Sequence, residues 1–258
     1  MENTEFVETL RREGPLLAGA ARRAGLDAPV PACPGWQVRD LLRHTGAVHR
    51  WAAGFVAEGR TEPVGMDEEA APSGKGADGS GDDGGELADW YLRAHARLVE
   101  VLAAAPADVA CWTFLPAPSP LEFWVRRQAH ETAVHRVDAE SAAGLAPAPI
   151  DPAFAVDGVA EMLLRFELKG RKRARSPQPR TLRVRADDVA GDPGWTLHFT
   201  QEPPRAERGG PDGPADCEVS APAAELYLAL WNRLPHDRLT LRGDRSVMDL
   251  WHASGAAS

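Results

Sequence analysis

The chain has 258 residues, is 43% hydrophobic, and carries a formal net charge of −9 from 29 basic and 38 acidic side chains. That length can bury an adequate core as one large domain or two modest ones, and the acidic balance speaks against broad nucleic-acid affinity, which needs clustered positive charge. No apolar run reaches the ~20 residues of a membrane span, and Glu2, Glu5 and Glu8 stand where a secretory leader would carry its basic head, so a cytoplasmic protein is expected.

Residues about 3 to 25 carry Phe6, Leu10, Leu17 and Ala21 at helical spacing, with Pro15 as a kink or break. Pro31-Ala32-Cys33-Pro34-Gly35 is a turn that launches a second helix, on which Leu41, His44, Val48, Trp51 and Phe55 form an apolar stripe with one histidine inside it. His49 is rotated about 140° from His44 and is expected at the surface or rim. Residues about 59 to 85, dense in Gly, Asp, Glu and Ser, predict a mobile loop. A third helix follows over about 86 to 105, then a Pro-broken loop with Trp112 and Phe114.

The run from Gln128 to Asp138 predicts a fourth helix that places Glu131 and His135 one turn apart on one face. Glu122, Arg126, Ala129, Ala133, Arg136 and Glu140 fall on the other side and read as a solvated charged stripe, which turns Glu131 and His135 toward the core, while His130 is rotated off the inward face. A carboxylate and an imidazole facing inward are costly unless paired or metal-bound. One such pair arises often by chance, and a lone histidine on an apolar stripe is usually a satisfied core residue. His44, Glu131 and His135 together, however, form the two-nitrogen, one-carboxylate set of catalytic zinc sites that keep a fourth position open.

After about residue 150 one more helix (Phe154, Val159, Met162) leads through the basic run Lys169 to Arg175, read as an exposed linker, into strand-like alternation. Thr181 to Arg185 and Trp195 to Phe199 suggest neighbouring strands; Cys217 to Val219 and Leu239 to Leu241 are shorter candidates, and Ala221 to Trp231 and Val247 to Trp251 read as helices. The fold expected is a four-helix bundle over 1–168, where metal sites are built from facing helices, followed by a small α+β domain over 178–258. No Gly-rich phosphate loop is present. Cys33, Cys111 and Cys217, odd in number and far apart, suit reduced thiols.

Cys33-Pro34-Gly35-Trp36 with Asp40-Leu41-Leu42-Arg43-His44, and His130-Glu131-Thr132-Ala133-Val134-His135-Arg136-Val137-Asp138-Ala139, resemble the mycothiol-dependent maleylpyruvate isomerase family. The resemblance implies a DinB-like bundle with a sterol-carrier-like second domain, zinc ligands at His44, Glu131 and His135, and mycothiol as thiol cofactor. It also implies an arginine from the second domain near the active site. Arg233 matches best, although Asn232 stands where many relatives have glycine. Arginine-rich, Lys-poor usage suits a GC-rich, actinobacterial source.

A coordinating thiol is deprotonated outright, so zinc-bound mycothiol would attack a small electrophile, with isomerisation or S-transfer as the outcome. The partners expected are therefore a small electrophile and a low-molecular-weight thiol. Arg127 is placed to pair with Glu131 or, alternatively, to meet a substrate carboxylate, and Asp138, one turn beyond His135, either to fix its imidazole tautomer or to hold the helix to a neighbour. Cys33 has no marked base beside it. The competing reading is a non-catalytic metal- or small-ligand-binding module.

Overall fold

The computed structural model describes residues 1–66, 84–166, 175–191, 194–210 and 213–253; most of the expected mobile loop and basic linker lies outside them. Its contacts divide the chain into two units, Met1–Ala148 and Pro149–Ser258. The first holds four long helices: α1 (Asn3–Ala24), α2 (Val38–Glu58), α3 (Gly84–Ala104) and α4 (Pro120–Ala142). Helix α1 packs on α4 and α3, and α2 packs on α3 and α4. Sequence signals set the ends. Ser119 accepts a hydrogen bond from the Glu122 amide and Pro120 fills the first turn of α4, while α2 stops at Gly59 in the left-handed conformation. Helix α1 runs through Pro15 without ending there. The break expected from the lost hydrogen bond does not occur, because Phe6, Leu10 and Leu17 on both sides of Pro15 are all buried by the neighbouring helices.

Helix α4 corrects a second expectation. The stripe read as solvated is buried: Arg126, Ala129, Ala133, Arg136 and Glu140 are all shielded, and only Glu122 is partly open. Helix α4 is the inner helix of the bundle, so polarity does not mark its outside. The charges are neutralised in place instead. The Arg136 guanidinium, 1% exposed, donates from Nε to Glu13 Oε2 at 2.7 Å and from Nη1 to Glu140 Oε2 at 2.5 Å and the Ala148 carbonyl at 3.1 Å. His130, expected off the inward face, is likewise fully buried, edge-on to Phe6 at 5.9 Å.

Aromatic rings fill one region of this core. Trp124 lies 5.4 Å from Phe55, nearly parallel, and 5.2 Å from Trp51, while its indole nitrogen donates to the Trp112 carbonyl. Helices α2 and α3 approach closely at Gly46, where an added Cβ would come within 2.1 Å of the Trp90 ring.

The second unit begins with α5 (Pro152–Glu161), capped by Asp151, and a π-helical turn (Met162–Phe166). Five strands follow: β1 (Arg180–Ala186), β2 (Gly194–Phe199), β3 (Arg205–Arg208), β4 (Cys217–Ala221) and β5 (Thr240–Gly243), in the order β3-β2-β1-β4-β5. Only β1 and β4 are parallel. The register brings Leu182 between Leu197 and Cys217, and Val184 between Trp195 and Val219, so one sheet face is continuously apolar. Helix α6 (Ala223–Leu230) packs on β1, β4 and α5, and α7 (Ser246–Ala253) packs on β1. The α+β class is as expected, but the contacts divide the chain before α5 rather than near 168, and Phe154 of α5 packs against Tyr227 of α6.

Arg136 keeps Glu140 when Glu13 is removed, so the loss is that of one buried hydrogen bond between charged groups, about 1.5–3 kcal/mol. Glu13→Ala should therefore lower the urea-unfolding free energy by about that amount, whereas Glu8→Ala, whose pair with Arg11 is exposed, should change it by less than about 0.5 kcal/mol. Equal effects of the two variants would remove the structural role assigned to the Glu13–Arg136 pair.

Candidate metal centre

The turn before α2 positions one wall of the site. Pro34 and Gly35 occupy the two central turn positions, Gly35 at φ 85°, which favours glycine, and the Trp36 amide donates to the Cys33 carbonyl at 3.0 Å. The Val30 amide donates back to the Trp36 carbonyl at 2.9 Å, and Gln37 and Asp40 form a reciprocal capping box that starts α2. His44 lies two turns into the helix, its ring 5.0 Å from Trp36 and 5.4 Å from that of His135.

Helix α4 supplies the facing groups. Glu131 Oε1 lies 3.2 Å from His135 Nε2 and 3.6 Å from His44 Nε2, and one ligand atom from each residue falls within 4.8 Å of the others. The three residues singled out from sequence are thus brought together. They do not sit in the core as expected: their side chains are 23% (His44), 19% (Glu131) and 10% (His135) exposed, at the edge of the bundle, with access to solvent.

The groups around them are also in place. His135 Nδ1 is 2.8 Å from Asp138 Oδ2, which fixes the tautomer and leaves Nε2 toward Glu131, and Cys33 Sγ donates to the same carboxylate oxygen at 3.6 Å. Arg127, its side chain 3% exposed, bonds Glu131 Oε2 at 3.2 Å, so one oxygen of Glu131 is held by a guanidinium and the other faces both imidazoles. Burial works against charge on Glu131, but hydrogen bonds from His135 and His44 and the attraction of His135 and Arg127 outweigh it and hold its carboxyl well below the usual range. Burial likewise disfavours the His135 imidazolium, yet Asp138 and Glu131 push His135 up to about 9.

His49, expected at the surface, is fully buried. Its Nε2 lies 2.9 Å from Thr132 Oγ1, and Thr132 donates to the Gln128 carbonyl, so His49 donates to Thr132. Burial and neighbouring His95 lower its pKa well below the ordinary value and keep it neutral. The signal lay in α2 itself: Thr45, His49, Ala52, Ala53 and Val56 form a second inward face of mostly small residues, as a helix between two neighbours requires. Trp36 was missed as a wall of the site, since only the folded turn brings it over two histidines.

Arg233 belongs to the second unit, where its Nη1 donates to the Trp231 carbonyl at 2.6 Å. Asn232 before it has φ 59°, a left-handed conformation that glycine and asparagine adopt most readily, so asparagine in place of glycine fits the backbone.

A half-buried donor set of two imidazoles and a carboxylate on facing helices, with His135 oriented by Asp138 and Glu131 by Arg127, has the chemistry of a divalent-metal centre in a helical bundle. Residues 7–140 match the family model of the mycothiol maleylpyruvate isomerase N-terminal domain, and residues 153–250 that of the MDMPI C-terminal domain. The chain belongs to this family of enzymes. The crystal structure of the mycothiol-dependent maleylpyruvate isomerase superposes with a TM-score of 0.59 and that of a histidine-to-alanine mutant with 0.61; each is 14% identical to this chain, with 93% of both chains covered. At that identity the likeness is one of fold. No protein of curated function matches the chain.

The raised pKa of His135 sets a pH dependence. Without metal, His135 is an imidazolium at pH 7, and a metal ion needs its neutral Nε2, so binding must expel that proton. Zinc titrated into metal-free protein at pH 7 in buffers of differing ionisation enthalpy should release about one proton from His135, and apparent affinity should rise about tenfold per pH unit, levelling near pH 9. The metal-free fold behaves oppositely. The raised pKa stabilises it fully below 6.5, and that contribution is lost as pH rises through about 9. Binding at pH 7 without proton release would show that His135 is not a ligand.

Proposed function

We propose that this protein is a mycothiol-using isomerase or S-transferase that acts on a small electrophile, with His44, Glu131 and His135 holding zinc or a similar divalent ion. The observation that carries this reading is the convergence of the His44 and His135 Nε2 atoms on a single oxygen of Glu131. The bound ion would supply Lewis acidity at its open position, sufficient to keep a thiol as thiolate at neutral pH.

The residues of the chain supply orientation and exclude alternatives. Asp138 holds the His135 ring by Nδ1 so that Nε2, once it has lost its proton, would present its lone pair to the ion. Arg127 anchors Glu131 Oε2 and leaves Oε1 for the ion. Trp36 lies roughly parallel to His135 at 6.2 Å and covers the two histidines on one side. No protein thiol is prepared as a nucleophile: Cys33 is buried and spends its S–H on Asp138, and burial raises the pKa of both Cys111 and Cys217. The attacking sulfur therefore comes from outside, and family membership supports mycothiol and a maleylpyruvate-like substrate. Arg233 is kept as the candidate catalytic arginine on the family resemblance alone.

Purified protein should bind about one divalent ion, and His44→Ala, Glu131→Ala and His135→Ala should each weaken it by at least about tenfold, read by metal analysis after dialysis. Isomerisation of maleylpyruvate should require added mycothiol, fall about 100-fold or more in the three ligand variants, and persist in Cys111→Ser. Ion binding without turnover of any electrophile would favour the non-catalytic binding module; turnover without mycothiol would overturn the proposal.

A further inference from the structure

On the first unit, α2 and α3 enclose a groove of about 520 Å³ lined by Arg50, Arg60, Arg93 and Arg97 around a floor of Ala53, Gly54 and Ala94. No residue of the metal-type donor set lines it. The floor is made of small side chains, and Arg60 lies across Gly54, where an added Cβ would meet its Nη1 at 3.2 Å. The Arg60 backbone is fixed at both ends, its amide donating to the Phe55 carbonyl and its carbonyl accepting from the Trp112 amide at 2.7 Å. Arg50 is held over the Trp90 ring at 5.9 Å.

The charges are unbalanced. Among the described residues Glu58 is the single carboxylate in the lining, and it is already bonded to Arg60 at 2.8 Å. Arg50, Arg93 and Arg97 pair with no carboxylate among the described residues. Arg93 and Arg97 stand one helical turn apart, an arrangement of like charges that costs stability unless an anion lies between them. Four guanidinium groups in one groove of a chain with net charge −9 run against the general electrostatics of the molecule. A single carboxylate ligand would leave most of that excess in place. Linked phosphates offset it, and their oxygens match the fork of donors that arginine presents. The groove volume lies within the range that holds small-molecule ligands.

We propose that this groove binds a small molecule carrying two or three linked phosphate groups, with Arg50, Arg60, Arg93 and Arg97 as its ligands. The probes are orthophosphate, pyrophosphate and tripolyphosphate, titrated calorimetrically into the full-length protein at low salt. Tripolyphosphate should bind saturably, one per chain, at least about tenfold tighter than orthophosphate, and weaken as salt rises. Arg93→Gln/Arg97→Gln should weaken it by about tenfold or more with unchanged helical circular dichroism and metal content. Arg22→Gln, which removes a cation paired with Asp89 outside the groove, and His44→Ala should both leave it unchanged. The His44 variant separates this proposal from the metal reading, because a polyphosphate held through a metal ion would lose affinity there and keep it in the double arginine variant. That pattern, absence of saturable binding, equal affinity for orthophosphate, or equal affinity for a single-stranded oligonucleotide would each overturn the proposal.

Discussion

Charge neutralised inside α4 is the constraint on which the bundle depends. An inner helix that carries Arg126, Arg127, Glu131, His135, Arg136, Asp138 and Glu140 is buried only if those groups meet partners where they stand, because a lone charge moved out of water costs several kcal/mol. Arg136 satisfies this with Glu13 across the interface to α1 and with Glu140 one turn along its own helix. The same requirement produces the functional end. Arg127 meets Glu131, and His135 meets Asp138, so the groups that orient the donor set are the groups that make its partial burial tolerable.

This coupling gives the site its electrostatic character. Without an ion, the Glu131 carboxylate draws a proton onto His135, and the cluster holds itself together as a hydrogen-bonded array. Under the proposed reading, a divalent cation would take the place of that proton and use the same donors. Cys33 completes the array from the turn before α2. Its thiol points at Asp138, which joins the Cys33-Pro34-Gly35-Trp36 turn to the His135 side of the site.

Much of this was legible in the chain. The i, i+4 spacing of Glu131 and His135 and the position of His44 on an apolar stripe were enough to bring the three together, because helical periodicity is local and survives folding. Arg127 and Asp138 were legible for the same reason, one turn away on the same helix. In the second unit, alternation identified β1 and β2, but β3, with the sequence Arg205-Ala206-Glu207-Arg208, carries no apolar alternation and exists only because the edge of β2 offers it hydrogen bonds. Helix α5 showed its helical character but not its allegiance, since an apolar face does not say which core it enters.

The sequence by itself determined most of the elements, the α plus α+β class and the i, i+4 spacing of Glu131 and His135, all of which follow from spacings within single segments. Tertiary structure decided which faces are inside. The Arg136 side of α4 reads as solvent-facing until Glu13 of α1 meets it, and His49 reads as a rim residue until α4 presents Thr132. The physical reason is the same in both cases. A polar side chain is compatible with water or with a buried partner, and the partner is supplied by a residue distant in the chain that periodicity on one helix does not reveal.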